Sequence, residues 1–446
     1  MTARPSISGA RRSTHLPTLV AVGLAAIAAV GFLVGPVAWA AGNVREGFPG
    51  YFTAARLVAD DRWSPSVYDD AWFARETLAV TGGRLGEIYR PNPPVVSIAM
   101  LPIAGFELMT ARRAWLGVEV VLVIVSWLLL VAALPALRAP PLALGLLALV
   151  LAWEPLQLDV RMGQVYGPLL GLHAAALLAV LRPSARGHAV AGVALGVAAA
   201  AKLAALPWLA ALLVRSGGRR AFAAAALTAL ILAALSLGFA GVDGWRAFAG
   251  AAWHDLTADR PSLAVTAYQS TGGLLRHLLT IDPTWNPGGL VHLPLVARGL
   301  GLAVSAWVVV VTLLVARRGS PDLVAGTAVT AGLLAVNVAQ DYAYAVLLVP
   351  AAIAISRWVT TPVAGRGRAA WLALAIFLIA APLPYRDPSL DAGWLALLAY
   401  PRLYGAWLLW AWLVREIGRE AVASGESVGG GEAAARHPQR ATADTR

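Results

Sequence analysis

Apolar residues run through this chain in long blocks parted by short charged clusters. About a dozen of the blocks hold roughly 15–25 residues, the length a helix needs to cross a hydrocarbon core. The first, residues 16–41, follows Arg4, Arg11 and Arg12 and is too long for the apolar core of a cleaved signal, so it reads as a retained first membrane helix after a cytoplasmic segment, 1–15. Later blocks lie at 114–136, 142–156, 165–181, 190–213, 221–240, 290–316, 323–338, 342–355, 369–383 and 394–414. Residues 416–446, rich in Gly, Ala, Glu and Arg, read as a disordered cytoplasmic tail.

Polar stretches between the blocks set the topology. Residues 42–91 carry most of the early acids; within them Tyr51, Phe52, Ala55 and Val58 fall at helical spacing, and Asp69 can cap a second helix bearing Trp72 and Phe73. Both short helices are expected to lie on the membrane surface. Residues 92–108 are apolar but short, and Pro93, Pro94 and Pro102 break them up. If this stretch dips in and returns, Arg138, Arg182 and Arg186 fall on the same inner side as Arg215, Arg219, Arg220, Arg317, Arg318, Arg357, Arg366 and Arg368, as the positive-inside rule favours. Block 190–213, basic at both flanks, then crosses twice as two short helices broken near Lys202 and Pro207. The sum is an all-α polytopic protein of about twelve transmembrane helices, 16–415. Three polar segments meet on its outer side, 42–113 as a structured first loop, 158–164 and 242–289, joined by the break at 337–341.

Composition agrees, with 59% apolar and 13% charged residues, about half the charged share of soluble proteins. The net charge of +11 is dispersed between apolar blocks, which points to orientation in a lipid bilayer and not to nucleic acid. No cysteine is present, which excludes disulfides and thiolate chemistry. His254, His277 and His292 show no tight ligand spacing, and there is no P-loop, dinucleotide fingerprint or Ser-His-Asp arrangement. No metal or cofactor is expected.

Five short motifs occur in order: Glu46-Gly47-Phe48-x-x-Tyr51-Phe52-x-Ala54-Ala55-Arg56, Tyr89-x-Pro91-x-Pro93-Pro94, Gly163-Gln164-Val165, Gly192-x-x-x-Gly196 leading to Ala201-Lys202, and Gln269-Ser270. This order resembles glycosyltransferase family 87 over residues 17 to 415. The resemblance implies a GT-C fold in the plasma membrane that takes a sugar, mannose or arabinofuranose, from a polyprenyl-phosphate donor. It passes the sugar to a lipid-linked or cell-envelope glycan on the extracytoplasmic side, inverting the anomeric centre. It also implies a catalytic acid just after the first helix. The chain departs from the family pattern where Gly47 stands in place of that acid, where Tyr166 follows Gly163-Gln164-Val165, and where Tyr268 precedes Gln269-Ser270.

A base for the acceptor hydroxyl must be a carboxylate or histidine at the water-accessible mouth of the helices. Glu46 fits by position, against the plainer reading of an interfacial acid paired with Arg45; Asp341, an acid between two apolar blocks, is the rival. The donor phosphate calls for cations, and arginine's fork suits its oxygens, so Arg112 and Arg113 come first and Arg161 and Arg276 next. Each is equally readable as an interfacial anchor. The motif residues Tyr51, Gln164 and Gln269 are placed with the substrate by the resemblance, while Lys202 is expected deeper, joining the broken helices. Trp63, Trp72 and Trp253 sit where a ring can stack on a sugar, although packing explains each more simply. The alternative class is a polytopic secondary transporter, which should show an internal repeat. Residues 1–215 show no evident match to 216–446.

Overall fold

The computed structural model describes residues 15–90, 92–182, 184–215, 217–257, 261–361 and 365–423. The expected N-terminal segment up to residue 14, Pro91, Arg260 and the tail from 424 onward lie outside them. Among the described residues every named element is helical, and β pairing is confined to two isolated bridges. Helix α1 (His15–Phe32) passes through a π turn at Leu33–Val37 into α2 (Ala38–Gly42). Pro36 sits inside that turn, where the widened backbone absorbs the N–H that proline lacks.

Helix α3 (Phe48–Ala59) forms where the spacing predicts it, and α4 (Asp70–Val80) starts at the predicted cap: the Asp69 carboxylate accepts the N–H groups of Ala71 and Trp72 at 2.9 and 3.0 Å. The expectation that both lie on the membrane surface is corrected for α3. Its residues Phe48 to Ala55 are all buried, because the apolar 3₁₀ segment Pro94–Ile103 packs over it. That segment spans about 20 Å at 3₁₀ rise, short of the roughly 30 Å hydrocarbon thickness.

Beyond it come α5 (Leu108–Ala133), then α6 (Pro140–Ala152) and α7 (Glu154–Met162) bent 49° apart, α8 (Tyr166–Val180), α9 (Ala185–Ala201) and α10 (Leu206–Leu213). Helix α11 (Arg219–Thr257) kinks at Gly241, φ 60°, so the segment expected to be loop from 242 starts as helix. Next are α12 (Thr271–Leu279), α13 (Pro294–Ala316), α14 (Pro321–Ala335), a 3₁₀ turn Asp341–Leu347 leading into α15 (Leu348–Thr360), α16 (Arg366–Ala380) and α17 (Pro401–Ala423). Residues 416–423, expected to open the tail, are helical, and α17 carries Glu416 and Glu420 into ion pairs.

Among the described residues, five helices are long and apolar enough to cross a membrane: Leu16–Gly42, Leu108–Ala133, Arg219–Asp255, Pro294–Ala316 and Asp341–Thr360; α6 with α7 makes a sixth if the bent pair is one span. Several other apolar helices are shorter, and the long ones make the chain a multi-pass membrane protein. The two ends of the bundle can be told apart by their bonds. At one end, Arg113 donates from Nε to the Ala41 carbonyl at 2.9 Å, which sets the end of the first span beside the start of α5. The intervening chain thus returns to the end it left. At another, Arg215 after α10 bonds to the Ala316 carbonyl at 2.9 Å, and Arg357 joins Asp322, Ser320 and Glu420.

Candidate active site

Two glycines bring the first motif against the third. Gly47 precedes α3 with φ 113°, and a side chain there would collide with the Gln164 amide and lie 2.9 Å from the Met162 carbonyl. Gly163 ends α7 in the left-handed region, φ 63°, with Phe48 packed where a Cβ would stand. Only glycine combines these backbone angles with such close approach. Across the contact the Tyr51 hydroxyl donates to Gln164 Oε1 at 2.8 Å. The other motifs fasten neighbouring walls: the Tyr89 hydroxyl bonds the Pro93 carbonyl at 3.0 Å, and Ser270 Oγ donates to the Asn337 carbonyl at 2.7 Å. Motifs scattered along the sequence thus surround one space.

That space is a cavity of about 440 Å³ reached from the loop end of the bundle. All three polar segments and the 337–341 break contribute to its wall, through residues such as Glu46, Gln164, Tyr268 and Asn337. Its cation in the interior is Lys202, at the break between α9 and α10. Helix α10 rises only about 12 Å, so the break sits within the bundle and the cavity dips to meet it. Lys202 Nζ donates to Asn92 Oδ1 at 2.6 Å and lies 5.8 Å and 5.7 Å from the ring centres of Tyr51 and Tyr166. These three contacts are neutral, while the buried Asp159 carboxylate acts on Lys202 electrostatically without a direct bond.

Three carboxylates line the wall: Glu46, Glu87 and Asp255. Glu46 is on the rim, its side chain 57% exposed and bonded to Arg45 Nε at 2.9 Å. Asp255 faces Arg90 at 3.8 Å, and Arg90 also pairs with Asp70. Glu87, which the sequence reading passed over, accepts the Gly47 N–H on Oε1 at 2.6 Å. Its burial pushes the carboxyl up to about 7; the Gly47 N–H opposes the rise and nearby Glu46 adds to it. Nothing in its sequence surroundings singles it out, since it lies in a loop after α4 with no apolar period or motif of its own.

The other sequence candidates divide by placement. Tyr51 and Gln164 line the cavity with Glu46. Arg112 does not: fully buried, it pairs with fully buried Glu119 at 3.0 Å, bonds the Val160 carbonyl, and stacks over Phe48. Arg113 is exposed and holds Ala41; Arg161 is half-buried at the end of α7, outside the lining. Gln269 is buried in a knot, its amide donating to the Thr266 and Ala399 carbonyls at 2.7 and 2.8 Å, and Arg276 is buried on α12. Asp341 lies outside the lining, buried, accepting the Tyr385 hydroxyl at 2.6 Å and pairing with Arg386. Trp63 packs edge-on against Tyr68 and Phe239, and neither Trp72 nor Trp253 reaches the cavity. Among the described residues no three His, Asp or Glu side chains cluster as metal ligands.

The cavity thus has a lysine at its inner end and carboxylates nearer its mouth. The family model of glycosyltransferase family 87 matches residues 91–336, over half of the chain, and takes in Gln164 and Lys202. The match starts after Glu46, Gly47 and Glu87. A search of curated proteins finds no match. The extent of the family match decides the assignment: the chain belongs to glycosyltransferase family 87 and is a glycosyltransferase.

Proposed function

We propose that the protein transfers a sugar, mannose first among the candidates, from a polyprenyl-phosphate donor to a hydroxyl of a lipid-linked or cell-envelope glycan. The cavity faces the extracytoplasmic side of the plasma membrane in this reading, and the broken spans complete a GT-C-type set of about twelve. The observation that carries it is Lys202: a cation inside the cavity whose direct partners are an amide oxygen and two tyrosine rings. Buried Asp159 acts on this cation electrostatically but makes no hydrogen bond to it, and a phosphate monoester would supply an anionic partner directly at the ammonium. We therefore assign the donor phosphate to Lys202 ahead of Arg112, Arg113, Arg161 and Arg276. Leu203, Leu302 and Leu333 beside it suit the first units of the carrier chain.

The sugar then occupies the space between Lys202 and the rim, where Tyr51 and Gln164 present their bonded polar groups. A carboxylate at the mouth takes the acceptor proton while the phosphate leaves from the opposite face, which inverts the anomeric centre. Glu46 is the sequence's candidate for that carboxylate; the bonds of Asp341 to Tyr385 and Arg386 make it a fastener in this reading.

The test reconstitutes the full chain in nanodiscs with radiolabelled polyprenyl-phosphate mannose and, separately, polyprenyl-phosphate arabinofuranose, using an alkyl mannoside as acceptor. Transfer from the mannose donor is expected. Transfer from neither, with solute uptake by proteoliposomes, would turn the reading toward a transporter.

A further inference from the structure

We propose that Glu87 is the carboxylate that takes the acceptor's proton, a role that rests on the transferase reading above. Of the three carboxylates that line the cavity among the described residues, Glu87 is the one with no cation bonded to it: Glu46 is bonded to Arg45, and Asp255 faces Arg90. Glu87 is held from three sides. Its backbone N–H donates to the buried Thr77 hydroxyl at 2.8 Å, its Oε1 takes the Gly47 N–H at 2.6 Å, and a Cβ added at Gly50 would lie 3.7 Å from its own Cβ. Among the described residues no hydrogen bond holds Oε2, and the residue lines the cavity. One oxygen is thus anchored while the other is open to a substrate hydroxyl.

Gly47 ties this to the chain's own departure from the family. Its φ of 113° and its contact with Gln164 leave no room for a side chain, and its N–H points instead at Glu87. A carboxylate from a different loop therefore stands at the backbone position where an acid is missing. The pKa of about 7 suits the work, because a base is most effective when it titrates near the operating pH. The groups facing it are Glu46 from the turn before α3, Tyr51 from α3 and the uncharged Thr77 from α4; Arg90, Asp255 and Lys202 line walls farther round.

In the step itself the acceptor oxygen forms a bond to the anomeric carbon as the bond from that carbon to the phosphate oxygen breaks. The bonding pair leaves with the phosphate beside Lys202, and the acceptor proton moves to Glu87 Oε2. A single displacement closes the balance with no further reactant.

Single-turnover and steady-state transfer from polyprenyl-phosphate mannose, measured between pH 5.5 and 8.5 in nanodiscs, tests this. Wild-type turnover should fall as pH drops through about 7, where Glu87 gains its proton. Glu87→Gln keeps an acceptor for the Gly47 N–H but cannot take a proton, so kcat should fall about 10²–10⁴-fold with donor KM changed less than threefold. Glu87→Asp should keep a pH limb and part of the rate. Burial is the main cause of the raised Glu87 pKa and the like charge of Glu46 adds to it, so Glu46→Gln should move the limb to lower pH and cut turnover less than Glu87→Gln does. Glu87→Gln turnover within tenfold of wild type, or a limb unmoved in Glu46→Gln, overturns the assignment while leaving the transferase reading standing. Wild-type protein that neither binds nor turns over the donor overturns both.

Discussion

Charged side chains at the two ends of the bundle are handled in opposite ways. Away from the cavity, Arg357 reaches Asp322, Ser320 and Glu420 together, and Arg368 and Arg419 share Glu416. These pairs tie α14, α15, α16 and α17 to one another, and each of the charges named meets an opposite one. Around the cavity Lys202 meets neutral partners, and Glu87 meets a backbone N–H. Paired charges hold helices in place, whereas charges left facing a cavity are available to a ligand. The difference can be broken or sharpened by substitution.

The largest effect is expected at Arg112, which lies near the cavity end yet belongs with the paired charges. Its partner Glu119 is fully buried, and removing one member of such a pair costs about 3–5 kcal/mol. Arg112→Ala should lower the melting temperature of the purified protein sharply, and Arg112→Met with Glu119→Leu should recover most of the loss. Donor KM measured on the folded fraction should hold. A raised donor KM in a protein of normal stability would make Arg112 a phosphate ligand and erase the distinction between the two classes.

Lys202 is the converse case. Lys202→Met should leave the melting temperature near that of wild type and raise donor KM by the equivalent of about 2–4 kcal/mol, the scale for losing one partner of a desolvated charge contact. Titration with unlabelled polyprenyl phosphate, followed by tryptophan fluorescence, reads the same loss without turnover. Unchanged saturation would send the phosphate to Arg90 or Arg161.

Gly47→Ala comes next in size. A non-glycine residue at that φ is strained by about 1–3 kcal/mol, and the added methyl would displace Gln164 from Tyr51 and shift the N–H that holds Glu87. Turnover should fall more than stability. A variant with normal turnover would show that the carboxylate need not be held by Gly47.

The helices themselves were legible because apolar length leaves few choices, and the break at Lys202, the Asp69 cap and the returning 92–108 segment all have local causes in charge, capping or proline content. Lengths were less so: α11 runs past Gly241 and α17 past 416, since polar residues can continue a helix that partners hold. Of the site, Glu46, Tyr51 and Gln164 were found through motifs that meet in space. Glu87 was not, because a lone acid in a loop has no period to reveal it; its one clue was indirect, a glycine where an acid was expected. Arginines were overrated for the opposite reason, as sequence cannot tell which of them an acid seven residues away has claimed.

The smallest effect is expected within the paired end. Glu420→Gln removes one carboxylate from Arg357, but Asp322 and Ser320 still hold that guanidinium, and about a third of each side chain of the Arg357–Glu420 pair is exposed to solvent. Solvent screening and this redundancy limit the loss to about 0.2–1 kcal/mol, a shift of a few degrees at most. Asp322→Asn should lose more, because Asp322 is the less exposed partner and makes two contacts with the same guanidinium. Neither change should alter donor KM, since both lie away from the cavity wall. If Glu420→Gln weakened donor binding as Lys202→Met does, the two ends would be coupled through α14, which carries Asp322 at its start and lends Leu333 to the cavity, and that helix would be the element to examine.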